Sequence, residues 1–249
     1  MNNDLGSLKR YVILGLARSG TTVVHFALKG HPNVAALNDE VKVAFFTEGI
    51  SIMTMRDDNT LEKKVSAIPL FDTIAGVFAD DNTQALGLKC ITESVEVTRE
   101  LVQALSKYYK EMKIILVIRD DLTAQYGSMQ RARITGEWHS WRKSGRFQNQ
   151  KVKLSKREFG KYVKRSIAKL KELRALKNTH DVLEFNFEEQ LLSAEGPDFS
   201  PLFKFLEISD LKVTWLDSKK VAPPPEDYIL NYEKMNKFCD EILQSESIS

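Results

Sequence analysis

Two cysteines, Cys90 and Cys239, are all that the 249 residues contain. That excludes a disulfide-stapled scaffold, and two reduced thiols in a cytoplasmic protein are the expectation. No uninterrupted apolar run approaches the roughly 20 residues needed to span a bilayer, so no membrane partner is expected. Residues 1–10 lack the charged start, long apolar stretch and small-residue cleavage site of a secretory leader. Internal repeats and low-complexity linkers are missing. So is any cluster of Asp, His and Cys at metal-ligand spacing, and no metal is expected.

Composition is otherwise that of a folded protein, 43% hydrophobic and 28% charged, enough for one sizeable core. We expect a single domain over residues 1–249. Net charge is only +2, but residues 131–177 hold sixteen Lys and Arg against three Glu. Such a block favours an anionic ligand nearby, or else forms solvated helix faces. It lacks interleaved aromatics, so a nucleic-acid partner is not expected. Nothing in the sequence sets the oligomeric state.

Four apolar runs read as buried strands: residues 11–16 (YVILGL), 85–90 (ALGLKC), 113–118 (KIILVI) and 181–185 (DVLEF). Helical patterns lie between and after them, at 20–29, 95–109, from 122, 155–177, 188–193 and 200–206. The longest carries the stripe Phe159, Val163, Ile167, Leu170, Leu173 and Leu176. After Pro223-Pro224-Pro225 a last helix is expected over about 226–243. Strands that are continuously apolar and alternate with helices predict an α/β fold with a parallel sheet of four to five strands and helices on both faces. Ligands in such folds sit at the carboxyl ends of the strands. Residues 17–22, 89–93, 119–121 and 186–189 therefore matter most.

The first of these junctions reads Gly15-Leu16-Ala17-Arg18-Ser19-Gly20-Thr21-Thr22. Its spacing and its strand–turn–helix context are P-loop NTPase-like, but Thr21 stands where a P-loop has Lys. Backbone N–H groups at a helix N-terminus still favour a phosphate there, with Arg18 as the cation. What is lost is the Lys that holds the β- and γ-phosphates of a triphosphate.

Arg18-Ser19-Gly20-Thr21-Thr22 after a strand resembles the 5′-phosphosulfate loop of sulfotransferases that use 3′-phosphoadenosine-5′-phosphosulfate (PAPS). Further segments agree in order. His31-Pro32-Asn33 ends the next helix, and Gly87-Leu88-Lys89 ends a strand. Arg119-Asp120-Asp121 with Gln125-Tyr126-Gly127-Ser128 is similar to the family's 3′-phosphate motif. Phe187-Glu188-Glu189 and Phe205-Leu206-Glu207-Ile208 are similar to its YEDL and FLGI segments. Lys220, the prolines and Ile229-Leu230-Asn231-Tyr232-Glu233 look like a C-terminal segment of bacterial members. Residues 128–139 further resemble the bacterial trehalose-sulfotransferase type. The basic loop that animal cytosolic members carry near the C-terminus is absent.

The resemblance implies PAPS as donor, 3′-phosphoadenosine-5′-phosphate (PAP) as product, and a small-molecule or carbohydrate acceptor reacting through a hydroxyl in preference to an amine. It implies donor contacts from Arg18, Ser19, Gly20, Thr21, Thr22, Arg119, Ser128 and Lys220, and catalytic roles for Arg18, Lys89 and Glu40. Glu40 is the implied general base, because Ile91 stands where animal members have His. Asp39 is its nearest rival. Trp138, His139 and Trp141 are candidates for an acceptor pocket. Two other readings stay open: an atypical P-loop kinase or NTPase with Asp120 or Asp121 on Mg²⁺, and a non-catalytic nucleotide-binding protein of the same fold.

Overall fold

The computed structural model describes residues 8–41, 46, 52–55, 61–64, 70–138, 149–211 and 223–247, with the backbone alone at 38, 39, 52–55, 61–64, 70 and 72–74. Five strands form one parallel sheet: β1 (Lys9–Gly15), β2 (Val34–Val41), β5 (Ala85–Ile91), β6 (Lys113–Ile118) and β7 (Val182–Asn186). Their order is β2-β5-β1-β6-β7. A separate antiparallel hairpin pairs β3 (Ile52–Met55) with β4 (Leu61–Lys64). β1 is central, with β5 and β6 paired to it in parallel on either side, so both of its faces must be apolar. Val12 and Leu14 face one core and Tyr11 and Ile13 the other.

The Val12 face is covered by α2 (Leu70–Phe78), α3 (Val95–Tyr108) and the end of α5 (Lys156–Arg174), through Phe71, Leu101, Leu105 and Leu173. The Tyr11 face is covered by α1 (Thr21–Lys29) and α7 (Ser200–Leu206), through Val24, Leu28, Leu202 and Phe203. A third cluster packs α4 (Leu122–Thr135) and α5 against α8 (Pro225–Tyr228) and α9 (Tyr232–Ser247), around Tyr126, Phe159, Tyr228 and Cys239. The short α6 (Phe187–Leu191) leaves β7 directly. Among the described residues, no helix is long and apolar enough to cross a membrane.

The expected α/β fold with a parallel sheet is what the chain adopts, but the β3–β4 hairpin and α2 were not expected, and two further differences have a clear physical reason. Residues 34–41 form a strand that the sequence did not announce. β2 is an edge strand, where charged residues are tolerated, and its register on β5 shifts between Ala36 and Glu40. The last helical stretch is also broken. Ile229 pairs with Val152 in a β-bridge, and the Leu230 amide donates to the Val152 carbonyl at 2.9 Å. That pairing separates α8 from α9.

Gly87 faces Tyr11 across the β5–β1 register, and a Cβ at position 87 would overlap the Tyr11 ring. The aromatic ring thus fills the space over the glycine. Gly87→Ala is expected to cost about 1–3 kcal/mol by overpacking. Tyr11→Phe should cost less than about 1 kcal/mol, because the Tyr11 hydroxyl is buried without a hydrogen-bond partner. Thermal melts check both, and a Gly87→Ala variant melting with wild type would contradict this packing.

Candidate functional site

The chain turns from β1 into α1 through two left-handed residues, Arg18 at φ 69° and Gly20 at φ 98°. Gly20 must be glycine on two counts. Its φ disfavours a side chain, and a Cβ there would lie 2.6 Å from the Phe187 ring. α3, α4, α5 and α6 open with side-chain caps from Ser94, Asp121, Ser155 and Asn186. Gly20 gives α1 no side-chain cap, so the first-turn amides are available to an anion. Ser19 and Thr21 are buried and lie close enough to Gly15 that a Cβ there would meet both. Their side chains belong to the interior of the turn, which leaves them backbone N–H groups to offer. A lysine at position 21 would have to occupy that buried space.

On one side of the turn, Arg18 Nε donates to Ser128 Oγ at 3.0 Å, and its Nη1 donates to the Trp138 carbonyl. Arg119 Nη1 donates to the Arg18 carbonyl at 3.2 Å. The Arg119 guanidinium lies 4.4 Å from the Phe187 ring centroid and 3.6 Å from the Glu188 carboxylate. Glu188 also accepts from the backbone amides of Asp120 and Asp121 at 3.0 and 3.4 Å. Strand end β6, helix α4 and helix α6 are thereby tied to the turn. Burial, then the neighbouring Arg119 charge, holds Arg18 below its usual basicity.

On the other side, Lys89 near the end of β5 donates to Thr22 Oγ1 at 3.2 Å. Its ammonium lies 3.5 Å from the Glu40 carboxylate, with Lys89 nearly buried and a third of the Glu40 side chain exposed. The shift in β2 register sets Glu40 opposite Lys89. The Asp39 side chain, His139, Trp141 and Lys220 lie outside the described residues. Trp138 is half-exposed and reaches the site through its carbonyl.

The sequence reading missed the burial of two residues that the fold brings close. His25, one turn along α1 from Thr22, is buried, and neither ring nitrogen makes a hydrogen bond of ordinary geometry. Arg131 is fully buried, its guanidinium 4.1 Å from the centroid of the Tyr228 ring. Neither carried a local signal, because each depends on packing between distant segments. Asp120 and Asp121, the carboxylates a Mg²⁺-dependent NTPase would use, already have structural partners. Asp120 accepts from Asn186 at 2.6 Å, and Asp121 caps α4 and accepts from the Tyr232 hydroxyl at 2.7 Å.

No protein-family model matches the chain, and no curated protein matches it in sequence. Solved structures similar to it include the following two. One is a sulfotransferase from Alicyclobacillus acidocaldarius, 17% identical over 81% of each chain, with a TM-score of 0.47. The other is the sulfotransferase domain of the Synechococcus PCC 7002 olefin synthase, 13% identical over 85% of this chain and 78% of that one, with a TM-score of 0.46.

His25 generates a stability prediction. Burial, then the charges of Lys89 and Lys29, pushes its pKa from 6.5 down to about 4, against a weaker pull from the Leu37 backbone. Between those values the unfolded chain binds a proton that the folded chain refuses, so stability falls as pH drops from about 6.5 to 4. The loss is roughly 3 kcal/mol when complete. Chemical denaturation across this window should show it, and His25→Phe should flatten it. An unchanged slope in that variant would assign the loss to other groups.

Proposed function

We propose that this chain is a PAPS-dependent sulfotransferase acting on a hydroxyl of a small-molecule or carbohydrate acceptor. One observation carries the reading: the uncapped, Lys-less start of α1 has Arg18, Arg119 and Ser128 on one side and Lys89 beside Glu40 on the other. An anion seated on the α1 amides therefore has guanidinium groups at one end and an ammonium–carboxylate pair at the other. That order suits a donor with two phosphates and a reactive group beyond one of them.

In the proposed reaction the acceptor oxygen attacks sulfur, and the bond from sulfur to the bridging oxygen breaks in line. The bond's electron pair stays on the 5′-phosphate of PAP. The amides of Gly20 to Thr22, the Thr22 hydroxyl, Arg18 and Lys89 stabilise that charge as it develops. Glu40 takes the acceptor's proton. Arg119 and Ser128 hold the 3′-phosphate. The commitment of Asp120 and Asp121 to structural hydrogen bonds weighs against the kinase or NTPase reading.

A screen of sugars, phenols, hydroxylated metabolites and amines with PAPS, reading PAP release, tests the reaction. At least one hydroxyl acceptor should release PAP stoichiometrically with sulfated product. Glu40→Gln should lower that turnover by about 10²-fold or more while PAP affinity stays near wild type. Wild-type turnover in the Gln variant would remove Glu40 from the mechanism, and ATP hydrolysis in place of PAP release would replace the reading altogether.

A further inference from the structure

Arg131 is fully buried, the bulkiest of the side chains that are. It lies three residues beyond Ser128 on α4, and positions three apart share a helix face. Ser128 in turn holds Arg18, whose carbonyl accepts from Arg119. Three guanidinium groups therefore crowd one region, close enough that the charges of Arg119 and Arg131 both weaken the basicity of Arg18. Tyr228 stands among them, feeling all three positive charges, with its ring against Arg131 and its hydroxyl donating to the Ala124 carbonyl at 3.4 Å. The chain delivers Tyr228 there through a close approach. Ile229 packs over Gly127, where a Cβ would overlap it, and the Val152 bridge fixes the same segment.

A buried guanidinium is expensive to maintain for packing alone. Desolvation penalises the buried ion, and an apolar side chain of similar volume often serves the fold as well or better. Two further guanidinium groups nearby raise the cost, offset in part by the Glu188 carboxylate against Arg119. A dianion bound among them reverses the sign of that interaction. We propose that Arg131, held on the Tyr228 ring, is a positioning charge of the donor site, stabilising a phosphate monoester dianion bound by Arg119 and Ser128 beside Arg18. Naming that dianion as the 3′-phosphate of the donor rests on the sulfotransferase reading.

The test is calorimetric titration of the intact chain with PAP, with adenosine-5′-phosphosulfate, which lacks the 3′-phosphate, and with inorganic pyrophosphate. Wild type, Arg131→Met and Arg131→Lys are compared, with melting temperatures in the absence of ligand. The Met variant should melt at or above wild type and bind PAP about 10- to 100-fold more weakly, with adenosine-5′-phosphosulfate little affected. The Lys variant should recover much of the PAP affinity. A Met variant that melts lower and loses both nucleotides equally would make Arg131 a structural residue and overturn the inference while leaving the donor reading intact. Should the Met variant not fold, the side-chain Nε resonance of Arg131 in wild type decides: PAP shifts it and adenosine-5′-phosphosulfate does not, whereas equal responses overturn the inference. If wild type ignores PAP but binds pyrophosphate in an Arg131-dependent way, the anion site stands and the donor reading falls. If it binds none of the three, both fall.

Discussion

Between Gly15 and Thr21 the chain leaves the centre of a buried sheet and enters a helix within five residues. The turn has little freedom in how it does so. Gly20 is pressed against Phe187, and the Ser19 and Thr21 side chains are folded into its interior. Left-handed backbone at a non-glycine residue costs roughly 1–2 kcal/mol, and Arg18 bears that strain. In return its guanidinium is aimed across the carboxyl end of the sheet at Ser128. The same tight turn leaves the first amides of α1 without a side-chain cap.

The rest of the site is arranged around this turn. Because β5 and β6 flank β1 in parallel register, the ends of all three strands emerge side by side. β6 hands over Arg119 and, through α4, Ser128. β5 hands over Lys89, and the shifted edge strand β2 brings Glu40 to it. The two groups of charges differ in kind. Around Arg18 the charges of Arg119 and Arg131 add to its own, with Glu188 paired to Arg119, a net positive region that gains from an anion. Around Lys89 an ammonium and a carboxylate stand 3.5 Å apart, an arrangement suited to moving a proton next to a developing negative charge. On the proposed reading, the donor spans from the first region to the second.

Much of this was legible in the sequence, for a physical reason. A strand covered on both faces must be continuously apolar, so β1, β5 and β6 declared themselves, and with them the junctions that follow. The turn was legible because Gly20 and Arg18 stand at P-loop spacing from Gly15. β2 was not legible. An edge strand can carry Asn38-Asp39-Glu40 without penalty, and its pairing depends on a register shift that no periodicity encodes. Nor was the split between α8 and α9, which follows from a bridge to Val152 more than seventy residues away in sequence. Arg131 and His25 looked like one more cation in a basic segment and one more residue of a short helix. Only the packing of Tyr228 on α4, and of α1 under the sheet, shows that both are buried.

The central claim is that the turn at α1 holds the phosphate of a sulfuryl donor and not that of a metal–triphosphate complex. Thermal unfolding in the presence of chelator tests it most directly, comparing PAP alone with ATP and Mg²⁺ in a chelator-free parallel. The account predicts that metal-free PAP raises stability, by about 2.7 kcal/mol at a hundredfold excess over its dissociation constant, and that ATP with Mg²⁺ does far less. Stabilisation by ATP with Mg²⁺ and none by PAP would contradict it.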